Sequence, residues 1–114
     1  MQKTISAEQF LKSRKDYFSI DVRTIQEWEN YHEQDMTHIP FEEILAYSQK
    51  LKEKKAVVLV CRSGARSEYA AKCLQKRRIN AINLQGGLLE LVQEKLKQGL
   101  ITKEECENAL SKIR

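Results

Sequence analysis

The chain contains no apolar run approaching the roughly 18 residues that a membrane-crossing helix requires, and its opening, Met1-Gln2-Lys3-Thr4-Ile5-Ser6, has no apolar segment of the signal-peptide kind. No membrane partner is expected, and the expected compartment is the cytoplasm. Cysteine is scarce and odd in number. Cys61, Cys73 and Cys106 form no C-x-x-C pair, which argues against a disulfide framework and a structural zinc site. No metal is expected, and a reducing compartment suits such thiols. Aromatic residues amount to only 7% and do not interleave with the basic ones, while the 20 lysines and arginines are dispersed among 16 acidic residues. That dispersion argues against a nucleic-acid surface and leaves the formal charge of +4 as a weak bias toward small anions. No internal repeat or low-complexity linker interrupts the 114 residues, which suffice for one domain with one core.

What is present is organised around a single loop. The run Ala56-Val57-Val58-Leu59-Val60 is apolar on both alternating faces, as in the central strand of a parallel sheet. It leads into Cys61-Arg62-Ser63-Gly64-Ala65-Arg66-Ser67 and then into a helix-patterned segment through Leu74. A cysteine therefore stands where a buried strand ends and a helix begins. A tight turn around Gly64 can aim successive backbone N–H groups at one point, and the following helix adds the positive end of its dipole. With Arg62 and Arg66 in the same loop, the Cys61 thiol is expected below its free value of about 8.5, as a nucleophile within an anion site. A buried, inert cysteine does not account for two arginines and a glycine in the next five positions.

This loop, taken with Ala70-Ala71 and Leu74, with Leu84-Gln85-Gly86-Gly87 and with the earlier Asp21-Val22-Arg23, resembles single-domain rhodaneses, sulfurtransferases in which a loop cysteine carries sulfur as a persulfide. The resemblance extends to about Leu91. It implies an α/β fold, a small parallel sheet with helices on both faces, over residues 1–97; residues 98–114, beyond the resemblance, are expected to form a C-terminal helical extension packed on the same domain. It also implies that Cys61 takes a sulfane sulfur from a small anionic donor such as thiosulfate and passes it to cyanide or a thiol, without a cofactor. Arg62 and Arg66 would bind the donor's oxyanion. The loop N–H groups of Arg62, Ser63, Gly64, Ala65, Arg66 and Ser67 would stabilise the persulfide, with Asp21, Arg23, Gly86 and Gly87 in support. A second reading is a sulfur-relay or binding module that exchanges sulfur with a protein docked on the C-terminal helices. A cysteine-dependent phosphatase or arsenate reductase ranks third. Such loops typically place five residues between Cys and Arg, whereas four separate Cys61 from Arg66, and a smaller ring of N–H groups suits one added sulfur better than a phosphoryl group.

The rest of the family signature is matched at Glu27, Trp28, His32, Ile39 and Pro40, but Tyr31 and Asp35 stand where glycine is usual and Met36 where alanine is usual. The loop from Tyr31 to Met36 is thus expected to take its own conformation. Asp21 and Arg23 read as a brace near the site, Trp28 as a core or lid anchor, and His32 and His38 as loop residues. Local signals predict a short strand at Thr4-Ile5, a helix capped by Ser6 with Gln9, and a strand from Tyr17 to Ile20 ending at Asp21. Beyond Pro40, a helix over Phe41 to Tyr47 is expected to bury positions 41, 44, 45 and 48. The helix from Ser67 to Arg77 is expected to turn Cys73 into the core, and the resemblance implies a left-handed end at Arg78, where the family commonly has glycine. Ile79 to Leu84 reads as a strand with one better-buried face. A helix from Leu88 to Leu96 is broken at Gly99, and Thr102 with Glu105 opens a last helix bearing Ile101, Cys106, Leu110 and Ile113.

Overall fold

Residues 3–114 are described by a computed structural model in which five short strands form one wholly parallel sheet. Strand β1 (Thr4–Ile5) is followed by α1 (Ala7–Ser13), β2 (Phe18–Asp21), α2 (Ile25–Asn30) and β3 (Thr37–His38). A 3-10 helix over Phe41–Tyr47 runs into α3 (Ser48–Leu51), and then come β4 (Val57–Val60), α4 (Ala65–Lys76), β5 (Ala81–Leu84), α5 (Gly87–Lys97) and α6 (Lys103–Ile113). The sheet order is β1-β5-β4-β2-β3, so β4 is central, paired with β2 and β5.

Burial on both faces explains the uninterrupted apolar run in β4. Val58 and Val60 face one core cluster with Phe10, Leu88, Leu91 and Val92, whereas Val57 and Leu59 face the other with Ala70, Ala71 and Leu74. Cys61 continues the parity of Val57 and Leu59, and the period of two directs its thiol to the α4 side of the sheet. The direction of the Cys61 sulfur thus follows from strand parity.

Helix starts obey their local chemistry. Ser6, Thr24 and Thr102 each cap a helix reciprocally with Gln9, Glu27 and Glu105, satisfying backbone donors at both ends of the box. After Gly99, which has φ +74°, α6 turns back on α5 and buries Cys106, Ala109 and Ile113 in the core cluster beneath α1 and α5. The face that remains outward carries Glu104, Glu107, Asn108, Ser111 and Lys112. The apolar set of the last helix is thereby used inside the domain.

Three local expectations are corrected. The segment after Pro40 winds with three residues per turn instead of 3.6, which buries Ile44 and Ser48 but turns Leu45 outward to 37% exposure. Cys73 is half-buried, because the buried arc of α4 is Ser67, Ala70, Ala71 and Leu74, and position 73 lies about 100° from Leu74 around the helix. Strand β5 is buried along its whole length, Asn83 included, since neighbours on both edges and helices on both faces enclose it. The Tyr31 to Met36 loop uses no left-handed residue, in keeping with the large side chains that were expected to give it its own conformation. Among the described residues only Arg78, with φ 64°, is non-glycine and left-handed.

Candidate functional site

Cys61 follows the last residue of β4 at the carboxyl edge of the sheet, where open α/β sheets bind ligands, and 1% of its surface is exposed. Its sulfur is surrounded by donors supplied by its own loop. The Gly64 N–H lies 3.1 Å from Sγ, the Ser67 N–H 3.4 Å, and the Ser67 hydroxyl 3.3 Å. Ser67 Oγ is also 2.5 Å from Asn83 Oδ1. A hydroxyl has one proton, so it donates either to the sulfur or to Asn83, and the amide orientation of Asn83 sets which.

Two glycines make this cradle possible. Gly64 has φ +104° and caps α4, which lets its N–H point back at the sulfur three residues earlier. At Gly87 a Cβ would sit 2.5 Å from the carbonyl oxygens of both Cys61 and Arg62. The close approach has a purpose in the hydrogen bonding. Leu88 N–H donates to the Cys61 carbonyl (2.9 Å) and Leu89 N–H to the Arg62 carbonyl (3.1 Å). The first turn of α5 therefore draws the loop's carbonyl oxygens outward, leaving its N–H groups turned in.

Burial pushes the Cys61 thiol up, but the Ser67 hydroxyl and the N–H groups of Ser67, Gly64 and Ser63 outweigh it, and the thiol lies below its ordinary value. Hydrogen bonds to the anion carry this effect. The Arg62 side chain is exposed and, among the described contacts, has no hydrogen-bond partner, and Ala65, also exposed, opens α4.

Arg66 is engaged elsewhere. Its Nη1 and Nη2 donate to Glu27 Oε1 and Oε2 at 2.7 and 2.9 Å, an end-on bidentate pair spanning 39 positions of sequence. The same Glu27 carboxylate accepts from the Thr24 N–H at 3.1 Å and the Thr24 hydroxyl at 3.2 Å. Arg66, with the Thr24 cap in support, holds the Glu27 carboxyl down at about 2. In the sequence Glu27 stands out only as a match to the family signature; the Thr24 cap three residues before it was a further signal, whereas its partner Arg66 comes from a distant loop.

Behind this rim, Asp21 and Arg23 form a fully buried ion pair. The carboxylate accepts from Arg23 Nε at 3.0 and 3.1 Å, from Nη2 at 2.9 Å and from the Arg23 backbone N–H at 3.0 Å. Arg23 Nη2 also donates to the Tyr31 carbonyl at 2.6 Å, so the pair braces the β2 exit against the following loop. Trp28 is stacked between His32 (centroids 4.0 Å apart) and His38 (4.9 Å) while packing against the core cluster. His38 Nε2 lies 2.7 Å from the Arg23 carbonyl oxygen.

The residues unusual for the family build a network of their own. Glu33, 5% exposed, accepts from the Tyr31 hydroxyl, from Arg14 at 2.7 Å and from Lys95 at 3.1 Å, while Asp35 takes two further bonds of 2.6 Å from Arg14. Met36 fills the core beside α1 and α5. Large side chains at these positions thus tether the loop to the end of α1 and to α5.

A parallel α/β domain carrying a cysteine in an N–H-lined loop at the carboxyl edge of its central strand defines a class of α/β proteins with a loop-held thiol. Within that class the chain belongs to the rhodanese-like domain family, whose model matches residues 6–94. YrkF of Bacillus subtilis (strain 168), provisionally named a sulfur carrier protein, is 38% identical over 58 residues, which cover 51% of this chain and 31% of that protein. The chain thus spans about a third of the length of that relative. YtwF of the same organism, provisionally named a sulfurtransferase, is 27% identical over 86 residues, covering 75% of this chain and 84% of that one. The crystal structure of a rhodanese-related protein from Thermoplasma volcanium superposes with a TM-score of 0.75 at 25% identity, covering 81% of this chain and 92% of the other. Family and relatives together support sulfur transfer as the general activity. No helix among the described residues is long and apolar enough to cross a membrane.

Proposed function

We propose that the protein is a sulfurtransferase that carries a sulfane sulfur on Cys61 as a persulfide. The observation that carries this reading is the cradle of three donors, from Gly64 and Ser67, within 3.1–3.4 Å of a sulfur whose thiol is held below its ordinary value. In the first half-reaction the Cys61 thiolate attacks the outer sulfur of a donor. The Sγ–S bond forms, the donor's own bond to that sulfur breaks, and the leaving group departs with the electron pair; for thiosulfate it is sulfite. In the second half-reaction a thiol or cyanide attacks the outer sulfur and regenerates the thiolate.

The inward N–H groups of residues 62–67 stabilise the anionic persulfide, as preorganised dipoles do for an oxyanion. No separate general base is needed once the thiol is ionised. Asp21, Arg23, Gly86 and Gly87 act as supports that set the loop's shape. Three unpaired thiols at Cys61, Cys73 and Cys106 suit a reducing compartment such as the cytoplasm. The likeness to a protein named as a sulfur carrier favours acceptors or donors that are themselves proteins, which use the same Cys61 persulfide.

Incubation with thiosulfate or glutathione persulfide, followed by intact-mass measurement, tests the proposal. A one-sulfur gain in the wild type, lost on addition of cyanide and absent in Cys61→Ser, is the expected result. Absence of a gain with every sulfane donor overturns it.

A further inference from the structure

Of the three donors at the Cys61 sulfur, two are backbone N–H groups whose direction the loop fixes. The Ser67 hydroxyl is the third and the one that can turn. Its other neighbour is Asn83 Oδ1 at 2.5 Å, a separation inside the O–H···O range and too short for N–H···O, so the hydroxyl proton lies between the two oxygens. Ser67 is fully buried and Asn83 is 4% exposed. Asn83 stands in β5 between Ile82 and Leu84, and its parity with Ala81 turns it toward α4 and the apolar cluster of Ala70, Ala71 and Leu74. A core position is thus given to one amide. Its Oδ1 meets Ser67, and its Nδ2 lies on the Gly64 side, 3.8 Å from where a Cβ of that glycine would sit. Both residues that supply donors to the sulfur are flanked by the same side chain.

The charge that these donors serve moves during sulfur transfer. In the thiolate it sits on Sγ. Once the Sγ–S bond has formed and the donor's own bond to the outer sulfur has broken, the charge sits on the outer sulfur and Sγ is a neutral bridging atom. A buried hydroxyl still aimed at Sγ would then be left without a good acceptor, which is costly. Building on the sulfurtransferase reading, we propose that Asn83 is a positioning residue whose Oδ1 accepts the Ser67 hydroxyl when the charge leaves Sγ and releases it to the sulfur when the thiolate returns. No proton changes its covalent partner; the hydroxyl only rotates, and no co-reactant is consumed. Asn83 acts through Ser67 and not on the transferred sulfur itself.

Asn83→Leu removes the alternative acceptor and places an apolar side chain in an apolar strand. Asn83→Ala removes it without adding bulk, so the test does not hang on one variant folding. In either variant the sulfur is left as the hydroxyl's acceptor. Alkylation of Cys61 by iodoacetamide, followed by peptide mass, should then show a pH midpoint moved down, with a rate at pH 6 about fivefold higher than in the wild type. Single-turnover sulfur uptake from glutathione persulfide at pH 9, where Cys61 is ionised in every form, should by contrast be about fivefold slower, because the thiolate is held more firmly and the persulfide strands the hydroxyl. A general loosening of the cradle would instead raise the midpoint. Arg66 and Glu27, the charged pair at the rim, each stabilise the other's ion, so the profile between pH 5 and 9 reads the cysteine. In a Ser67→Ala background both effects of the Asn83 substitution should vanish. A midpoint that rises or stays, or an effect that persists without the hydroxyl, overturns the assignment. Failure of the wild type to take sulfur from any sulfane donor refutes the sulfurtransferase reading itself, and the alkylation profile keeps the two failures distinct.

Discussion

At the scale of single residues, the sulfur cradle depends on Ser67 more than on either arginine. Ser67→Ala removes one of the donors to the sulfur and leaves Asn83 without its partner. Its Cys61 should be alkylated by iodoacetamide about tenfold more slowly at pH 7, with the pH profile displaced upward. An unchanged profile would show that the hydroxyl proton resides on Asn83. Arg78 offers a second single-residue test. Held at φ 64°, it carries strain that glycine relieves, offset in part by glycine's greater entropy loss on folding. Arg78→Gly is expected to gain about 0.5 kcal/mol net, raising Tm by roughly 2 °C. This strain was legible in the sequence through the family resemblance, because Arg78 stands where glycine commonly ends this helix. The environment of Cys73 was not, because a helix with two adjacent alanines has more than one arc that could face the core, and only the position of the sheet selects among them.

At the scale of elements, the segment from Tyr31 to Met36 shows how a departure from a family pattern can be structural. Glu33 gathers Arg14 from the end of α1, Lys95 from α5 and the Tyr31 hydroxyl around one buried carboxylate. Burial alone would raise its carboxyl, but Tyr31, Lys95 and Arg14 overcome that cost and hold it below the ordinary value of 4.5. The sign follows directly. The stabilisation is fully present above about pH 4.5 and is lost as pH falls through the lowered value, so acid unfolding should draw on this network. Glu33→Gln is expected to lose about 2 kcal/mol at pH 7, measured by urea denaturation, and to show a shallower loss of stability below pH 4.5 than the wild type. Strands and capped helices were readable from local pattern, because apolar runs and capping boxes act within a few residues. The Glu33 network and the Glu27–Arg66 pair were not, since each joins segments that only the fold brings together. Thr24 with Glu27 has the same spelling as the boxes at Ser6 and Thr102, and as a cap it was there to be read; its link to Arg66 was not.

At the scale of the whole molecule, α6 lies beyond the stretch that matches the family, residues 6–94, yet Cys106, Ala109 and Ile113 complete the core under α5. Ending the chain at Leu100 should cost roughly 4 kcal/mol of buried apolar surface, read as a lower urea midpoint. The consequence should reach the cysteine loop as well, because α5 both receives α6 and holds the Cys61 and Arg62 carbonyls. A truncated protein that remains folded is expected to alkylate Cys61 with an altered rate. The lone tryptophan has a further use. Because Trp28 is the chain's single indole, stacked on two imidazoles next to Glu27, all of the chain's indole fluorescence issues from one point beside the Glu27–Arg66 pair. A rearrangement of that pair when a donor binds is therefore readable as light without attaching a dye.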